Sequence, residues 1–335
     1  MTPRTDRLSE TLAVLDVGHG TSVVLFSGDD VAVFDAGTGS GLLEFLEQQR
    51  VSRIRAVFLS HADKDHVGGL AGLLAANTVA VERVVLNTDS LKDSAIWDDL
   101  VYELDARQRT GRITFDTKMT AGDRETLGAV TALVAAPSTY LSAKGPGSTD
   151  RSGRRISSNS ISAVIRLCTA VGPVALLTGD LDSVGLEDLL RTDGACDAPI
   201  LVFPHHGGGT GARDVQGYVD RLIARVQPRV VVFSMGRSRG GMPDPEVVRH
   251  LRQAAPDARI ICTQLSRHCA KSLPAFAPSH LSPAFALGRS DHACCGGTIL
   301  IPLQDAAGIA PESDDHLAFI NTAAESPMCI GRQAP

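Results

Sequence analysis

The sequence predicts an α/β fold in which two β-sheets pack together with helices on the outside. Three observations carry this expectation. Short β-branched runs end in turn glycines, helically spaced segments fall between them, and the strands-then-helix pattern occurs in two halves.

Leu12 to Asp16, Ser22 to Phe26 and Val31 to Phe34 read as strands, broken by Gly18-His19-Gly20 and Gly28-Asp29-Asp30. Such close spacing fits an antiparallel meander. Gly41 to Arg50 has helical spacing, with Leu42, Leu43, Phe45 and Leu46 on one face. Ala56 to Ser60 is a continuous apolar strand ending at His61, and His66 to Ala76 reads as the helix after it. Strands near Val84, Ile113 and Val130 accompany a helix around Ser94 to Arg109. Further strands fall at Ser162 to Leu167, Val174 to Thr178, Ile200 to Phe203, Val230 to Phe233 and Arg259 to Cys262. Helices fit between them at Val184 to Arg191, Arg213 to Val226 and Pro245 to Ala255. Ser142 to Ser158 is a Gly/Ser-rich loop carrying Lys144, Arg151, Arg154 and Arg155 against Asp150 alone. A Cys/His-rich irregular stretch runs from about Ser266 to Gly297. Residues 1–303 are expected to form the main domain, and 304–335 a C-terminal extension.

Net charge of −6 argues against a protein that coats nucleic acid generically. Aromatic content of 4%, with Trp97 the one tryptophan, argues against single-strand binding by stacking. No apolar run is long enough to span a bilayer, and MTPRTDRLSE lacks the apolar core of a secretory signal. A cytoplasmic location is the default expectation. The seven cysteines are an odd number in a long chain, so they read as reduced thiols or metal ligands. Cys262, His268, Cys269, His292, Cys294 and Cys295 share the irregular stretch, but their spacing matches no standard zinc pattern, so buried free thiols are expected. His250 is expected on a surface helix and His280 and His316 in loops, none with a role.

The chemistry starts at His61-Ala62-Asp63-Lys64-Asp65-His66, where two histidines and two aspartates follow a buried strand and precede a helix. A tight loop there can turn alternate side chains to one point, so His61 and Asp63 would serve one metal ion and Asp65 and His66 a neighbour. A bland alternative is a solvated loop whose Asp65 caps the helix. Two downstream clusters tell against it. Leu177-Thr178-Gly179-Asp180 and Pro204-His205-His206-Gly207 each follow an apolar strand and each place a ligand at its C-terminal end. Asp180 has two oxygens and can bridge two ions. His205 is favoured as the direct ligand, with His206 either a ligand or a hydrogen-bonded partner of one.

The order of Asp-x-Gly, HxDxDHxGG, TGD and HHG resembles the metallo-β-lactamase superfamily, whose hallmark is HxHxDH. Within it the chain is similar to the hydrolase domain of ComEC-type competence proteins. Supporting pieces are Leu15 to Gly20, Val33 to Gly37, Leu59 to Gly69, Ser158 to Ser162, Leu176 to Asp180, Val202 to Gly207 and Phe233 to Gly236. The resemblance implies an αββα sandwich of two mixed β-sheets and a centre for two divalent metal ions, Zn or Mn. It also implies hydrolysis by a metal-bridging hydroxide, with His19, Asp65 and Asn159 near the reaction and Asp16 and Asp35 behind the ligands. Asp63 stands where the wider superfamily has a histidine, which hardens the site and makes Mn²⁺ a competitor to Zn²⁺. Asn159 replaces a further histidine, so one ion is expected to bind more weakly. Two motifs depart from the family: Gly18-His19-Gly20 replaces Gly-Gln-Gly, and Gly241-Met242-Pro243 replaces Gly-His-Pro. No membrane channel accompanies these motifs, so the chain is expected to stand alone and not to import DNA itself.

Arginines near a two-metal site favour phosphodiesters over lactams, because phosphate needs charge neutralisation. Lys144, Arg151, Arg154, Arg155 and Arg237 are the candidate substrate-binding cations, with Arg239 beside them. The leading expectation is therefore a metal-dependent phosphodiesterase or nuclease acting on nucleic acid or a nucleotide. Alternatives are a hydrolase of small esters, lactones or lactams, and a metal-binding partner subunit without turnover. A plain surface excursion remains open for residues 142–158.

Overall fold

The computed structural model describes residues 7–192, 194–237, 241–304 and 308–330. In the first half, β1 (Thr11–Val14), β2 (Ser22–Ser27) and β3 (Asp30–Ala36) make the expected antiparallel meander, with Leu12 opposite Leu25 and Val24 opposite Val33. After α1 (Gly41–Gln48) and the short β4 (Arg53–Ile54), β5 (Ala56–Leu59) lies parallel to β3. There follow α2 (Lys64–Ala76), β6 (Ala80–Val81), β7 (Arg83–Leu86), α3 (Ala95–Arg109) and β8 (Thr114–Asp116). β7 and β8 extend the sheet in parallel, while β6 pairs only with β4.

The second half begins with β9 (Arg124–Leu127), β10 (Val130–Ala136), α4 (Thr139–Lys144), β11 (Val164–Cys168) and β12 (Pro173–Leu177). These strands pair antiparallel. The pattern then turns parallel through α5 (Ser183–Arg191), β13 (Ile200–Val202), α6 (Val215–Val226), β14 (Val230–Phe233), α7 (Pro245–Ala254) and β15 (Arg259–Cys262). β16 (Ile299–Pro302) crosses back to pair antiparallel with β1, completing a first sheet of order β16-β1-β2-β3-β5-β7-β8.

Both faces of most strands inside the two sheets are buried, which explains their unbroken apolar runs, whereas the edge strands β8 and β9 keep exposed residues. Leu12, Val14, Val23 and Leu25 join a layer between the sheets with Ala175, Leu177, Ile200 and Val202 of the other sheet. The alternate residues Ala13, Val24 and Phe26 pack under α1 to α3, while Leu176, Leu201, Val231 and Phe233 pack under the helices of the second half. Phe34 and Phe58 stack within the inner layer at 5.1 Å. The result is the expected helix–sheet–sheet–helix order.

The C-terminal stretch contains α8 (Ser313–Ala323), which buries Phe319 and Ile320 against the second half. Two expectations are corrected. His250 is buried within α7 despite its surface prediction, its ring covered as Val247, Val248 and Leu251 pack inward. His316 lies on α8, buried, and not in a loop.

Candidate metal centre

Parallel strands leave their C-terminal ends on one side of a sheet, and that geometry assembles the site. β5 runs into Ser60 and His61, β12 into Asp180, and β13 into His205 and His206. Cross-sheet hydrogen bonds hold the ends together: Ala163 N donates to Ser60 O at 2.9 Å and Ser234 Oγ to Gly20 O at 2.9 Å. Gly179 has φ of +49°, and a Cβ there would lie 2.3 Å from Ser162 Oγ and 2.6 Å from Ser60 Cβ. Only glycine lets β12 approach β5 so closely. His205 and His206 both adopt left-handed backbone, φ +52° and +55°, a cost of order 1 kcal/mol each that the surrounding turn must offset.

The helix-capping alternative for the HxDxDH loop does not hold. Asp63 occupies the N-cap of α2, yet its side chain makes no capping bond. The Asp65 carboxylate faces His19 Nε2 at 3.1 Å and His206 Nε2 at 3.3 Å. Both carboxylates are thus diverted from local backbone toward the site.

Three histidines share one hydrogen-bonding logic. His66 Nδ1 donates to Asp35 Oδ2 at 2.7 Å, and His206 Nδ1 donates to the Ser234 carbonyl at 2.6 Å. His61 Nδ1 sits 3.0 Å from Ser60 Oγ. A carboxylate or carbonyl only accepts, so in the neutral rings of His66 and His206 the proton is on Nδ1 and the Nε2 lone pair faces the centre. Among the described residues, Nε2 of His61, His66 and His206 and Oδ1 of Asp180 are buried and find no well-aligned hydrogen-bond partner. Such orphaned acceptors are costly unless a cation takes them. Ligand atoms of Asp65, His66, Asp180 and His206 lie within 4.8 Å of one another, the one such group among the described residues. The donor set fits a divalent metal ion, with histidines oriented from behind as metal ligands are.

Asp180 faces both halves of the centre. Its Oδ1 is 3.0 Å from His66 Nε2 and its Oδ2 is 3.7 Å from His61 Nε2. His61 Nε2 also lies 3.8 Å from Asp63 Oδ2. Burial disfavours charge on Asp180, but the imidazoles of His66, His61 and His206 more than offset it and hold the carboxyl well below its usual range. Asp65 is likewise lowered against burial by His19, His206 and His66. Burial opposes a proton on His66, yet Asp180 and Asp35 raise its pKa well above the usual value. Those two carboxylates favour a second proton on His66, at the nitrogen a metal ion would otherwise take.

The other sequence-derived candidates divide. The sequence favours His205 as the direct ligand, but His206 is the one drawn into the donor group. His205 is about a third exposed, with Nε2 4.0 Å from Asp180 Oδ2. Asp35 reaches a ligand directly, whereas Asp16 holds Gly18 N at 3.1 Å and Gly288 N at 2.9 Å and so shapes the loop bearing His19. Asn159 sits on a single 3-10 turn whose carbonyl accepts from Ser162 N at 3.2 Å. Arg154 is engaged by Asp150 at 2.7 Å and Glu187 at 2.8 Å, and Arg237 by the carbonyls of Leu265, Ala270 and Lys271. These two arginines hold loops, while Lys144, Arg151 and Arg155 are exposed. Arg239 lies outside the described residues. The thiols of the irregular stretch are free: Cys294 donates to Asp16 at 3.3 Å, and Cys295 lies 3.3 Å from His316 Nε2. Ser60, Ser234 and Lys92 escaped sequence reasoning. Ser60, at the strand end beside His61, and Ser234, within the Phe233 to Gly236 motif, carry a local signal, and Lys92 carries none.

A family model for the metallo-beta-lactamase superfamily matches residues 15–212, more than half of the chain. The chain belongs to the metallo-beta-lactamase superfamily. This metallo-beta-lactamase protein is 25% identical over 260 residues to Competence protein ComA of Neisseria gonorrhoeae, covering 76% of this chain and 31% of that protein. It therefore spans about a third of that relative's length. A shorter match, 43% identical over 56 residues, is to Ribonuclease Z of Treponema denticola, covering 17% of this chain and 18% of that one. Among solved structures, the metallo-beta-lactamase fold protein YhfI from Bacillus subtilis is similar with a TM-score of 0.46 and 11% identity, covering 75% of this chain and 96% of that chain. Human tRNase Z, short form, is similar with a TM-score of 0.39 and 13% identity, covering 66% and 91%. No described helix of this superfamily member is long and apolar enough to cross a membrane.

Proposed function

We propose that this chain is a metal-dependent phosphodiesterase of the nuclease kind, acting on nucleic acid or a nucleotide. One observation carries the reading: a metal-ready group of imidazoles and carboxylates has a lysine at its edge, Lys92 on Asp63, and exposed cations on the adjoining segment. That segment is tied to the Lys92 loop, because the Ser158 hydroxyl bonds Asp89 and Leu91 lies over Gly147. Lys144, Arg151 and Arg155 are exposed there and can meet phosphate oxygens, whose charge a lactam or neutral ester lacks. The names of two relatives, a competence protein and a ribonuclease, agree with a nucleic-acid substrate.

Asp65, His66, Asp180 and His206 would hold one ion, and His61, Asp63 and Asp180 a second. A bound divalent ion supplies Lewis-acid activation of water and neutralises charge developing on the phosphoryl group. The oxygen-rich set suits Mn²⁺ as well as Zn²⁺. The chain's own residues do the positioning: Asp35 fixes the His66 ring, Ser234 fixes His206, and His19 Nε2 orients Asp65.

The test is hydrolysis by protein loaded with Mn²⁺ or Zn²⁺ of bis-p-nitrophenyl phosphate, single- and double-stranded DNA, RNA and a chromogenic lactam. Turnover of phosphodiesters alone is expected. Turnover of the lactam alone would replace this reading, and no turnover with any metal would favour a binding subunit.

A further inference from the structure

The half of the centre that carries Asp63 already holds a cation. Lys92 Nζ rests on Asp63 Oδ1, with both side chains a little over a quarter exposed. Lys92 comes from the connection between β7 and α3, and that connection is braced to present it. Asp89 Oδ1 accepts from Leu91 N at 3.2 Å, and Asp89 O accepts from Lys92 N at 3.2 Å. Ser158 anchors the other oxygen of Asp89, and Gly147 leaves room for the Leu91 side chain.

The opposite half is built differently. Donor atoms of Asp65, His66, Asp180 and His206 converge within 4.8 Å of one another, while His61 reaches Asp63 at 3.8 Å and Asp180 at 3.7 Å and Asp63 turns its other oxygen to Lys92. Lys92 already neutralises Asp63, so a second divalent ion brought beside that pair would meet like-charge repulsion in a half-buried site.

We propose that the Lys92 ammonium stands in for the second metal ion. The protein holds one divalent ion tightly at Asp65, His66, Asp180 and His206. It admits another only by giving up the Lys92–Asp63 pair, which frees Lys92 to bind an anionic substrate oxygen. The proposal rests on the metal-centre reading above and deepens it: Lys92 sets how many ions the centre holds.

The test counts metal and leaves turnover aside. Full-length protein stripped by chelation is titrated with Mn²⁺ by calorimetry, and the bound ions are followed by electron paramagnetic resonance. Wild type should take up one tight equivalent, with a second at least about tenfold weaker. Lys92→Ala should bind the second ion about tenfold more tightly and show the exchange-coupled signal of a manganese pair at two equivalents. Lys92→Arg, which keeps the charge, should behave as wild type. His206→Ala should lose the tight ion. Two equivalents of equal affinity in wild type would overturn the proposal and leave the metal centre standing, as would a Lys92→Ala titration that overlays wild type. Absence of any bound ion in wild type and Lys92→Ala alike would overturn both.

Discussion

Replacing Asp35 by asparagine removes one charge from behind the metal centre and disturbs three hydrogen bonds. Asp35 accepts from Ser60 N at 2.7 Å, Ser60 Oγ at 2.8 Å and His66 Nδ1 at 2.7 Å. Asparagine tolerates the left-handed backbone of this position, φ +59°, so the substitution tests chemistry without adding strain. Its amide has one acceptor oxygen where the carboxylate has two. Either Ser60 N, or His66 Nδ1 together with Ser60 Oγ, then faces an NH₂ group. If His66 does, its proton shifts to Nε2, and the lone pair that would bind metal is lost. A residue that orients a metal ligand contributes about 10–100-fold in affinity. That corresponds to about 1.4–2.7 kcal/mol at tenfold per 1.4 kcal/mol. Calorimetric titration of Asp35→Asn with Zn²⁺ or Mn²⁺ should show a loss in that range while circular dichroism stays native. Affinity within threefold of wild type would refute the argument that Asp35 sets the His66 tautomer.

Three further outcomes follow from the geometry. His206→Ala should remove far more bound metal than His205→Ala, read by elemental analysis after loading, and equal losses would show that the convergence of Nε2 atoms has no bearing on binding. Alanine at Lys144, Arg151 and Arg155 should raise KM for DNA or RNA at low salt with kcat little changed, and the effect should shrink with added salt; Arg154→Ala should instead lower thermal stability, because Arg154 pairs with Asp150 and Glu187. Burial, aided by Arg259 and His280, pushes His316 down to about 3. An unfolded histidine takes its proton near 6.5, so the unfolded chain binds more protons between those values. Stability present above pH 6.5 is lost as pH falls toward 3, up to about 5 kcal/mol. Urea melts of His316→Phe should show a flatter dependence between pH 6.5 and 4, and an unchanged slope would clear His316 of the effect.

Much of the architecture could be read from the chain because its signals are local. The apolar runs Ala56 to Ser60 and Val174 to Thr178 are buried on both faces, so composition alone marks them as strands. His61, Asp63, Asp65 and His66 are legible for the same reason: their spacing puts chemistry at a strand end. Long-range facts were not legible. Lys92 meets Asp63 only because β7 follows β5 in the sheet, and nothing in the residues around Lys92 announces that partner. The choice between His205 and His206 depends on two left-handed residues that set neighbouring rings 6.4 Å apart with their planes inclined by 77°. His316 looked idle because α8 has weak periodicity, and its burial comes from tertiary packing against Cys295 and His280. Arg154 looked available to substrate because its ion pair with Glu187 crosses from the loop to α5.

The pairing of β1 with β16 joins residues nearly three hundred positions apart, Val14 with Ile299 and Thr11 with Pro302. During synthesis, β1, β2 and β3 can zip together early, but one edge of β1 stays open until β16 emerges. An open edge of apolar strand is a template for pairing with other chains. The loop closure it awaits is entropically slow compared with the local hairpins. Nascent or refolding chains should therefore pass through a stage vulnerable to self-association, ended by arrival of β16. Pulsed hydrogen exchange should find the outward amides of β1 protected last in the first sheet, together with those of β16.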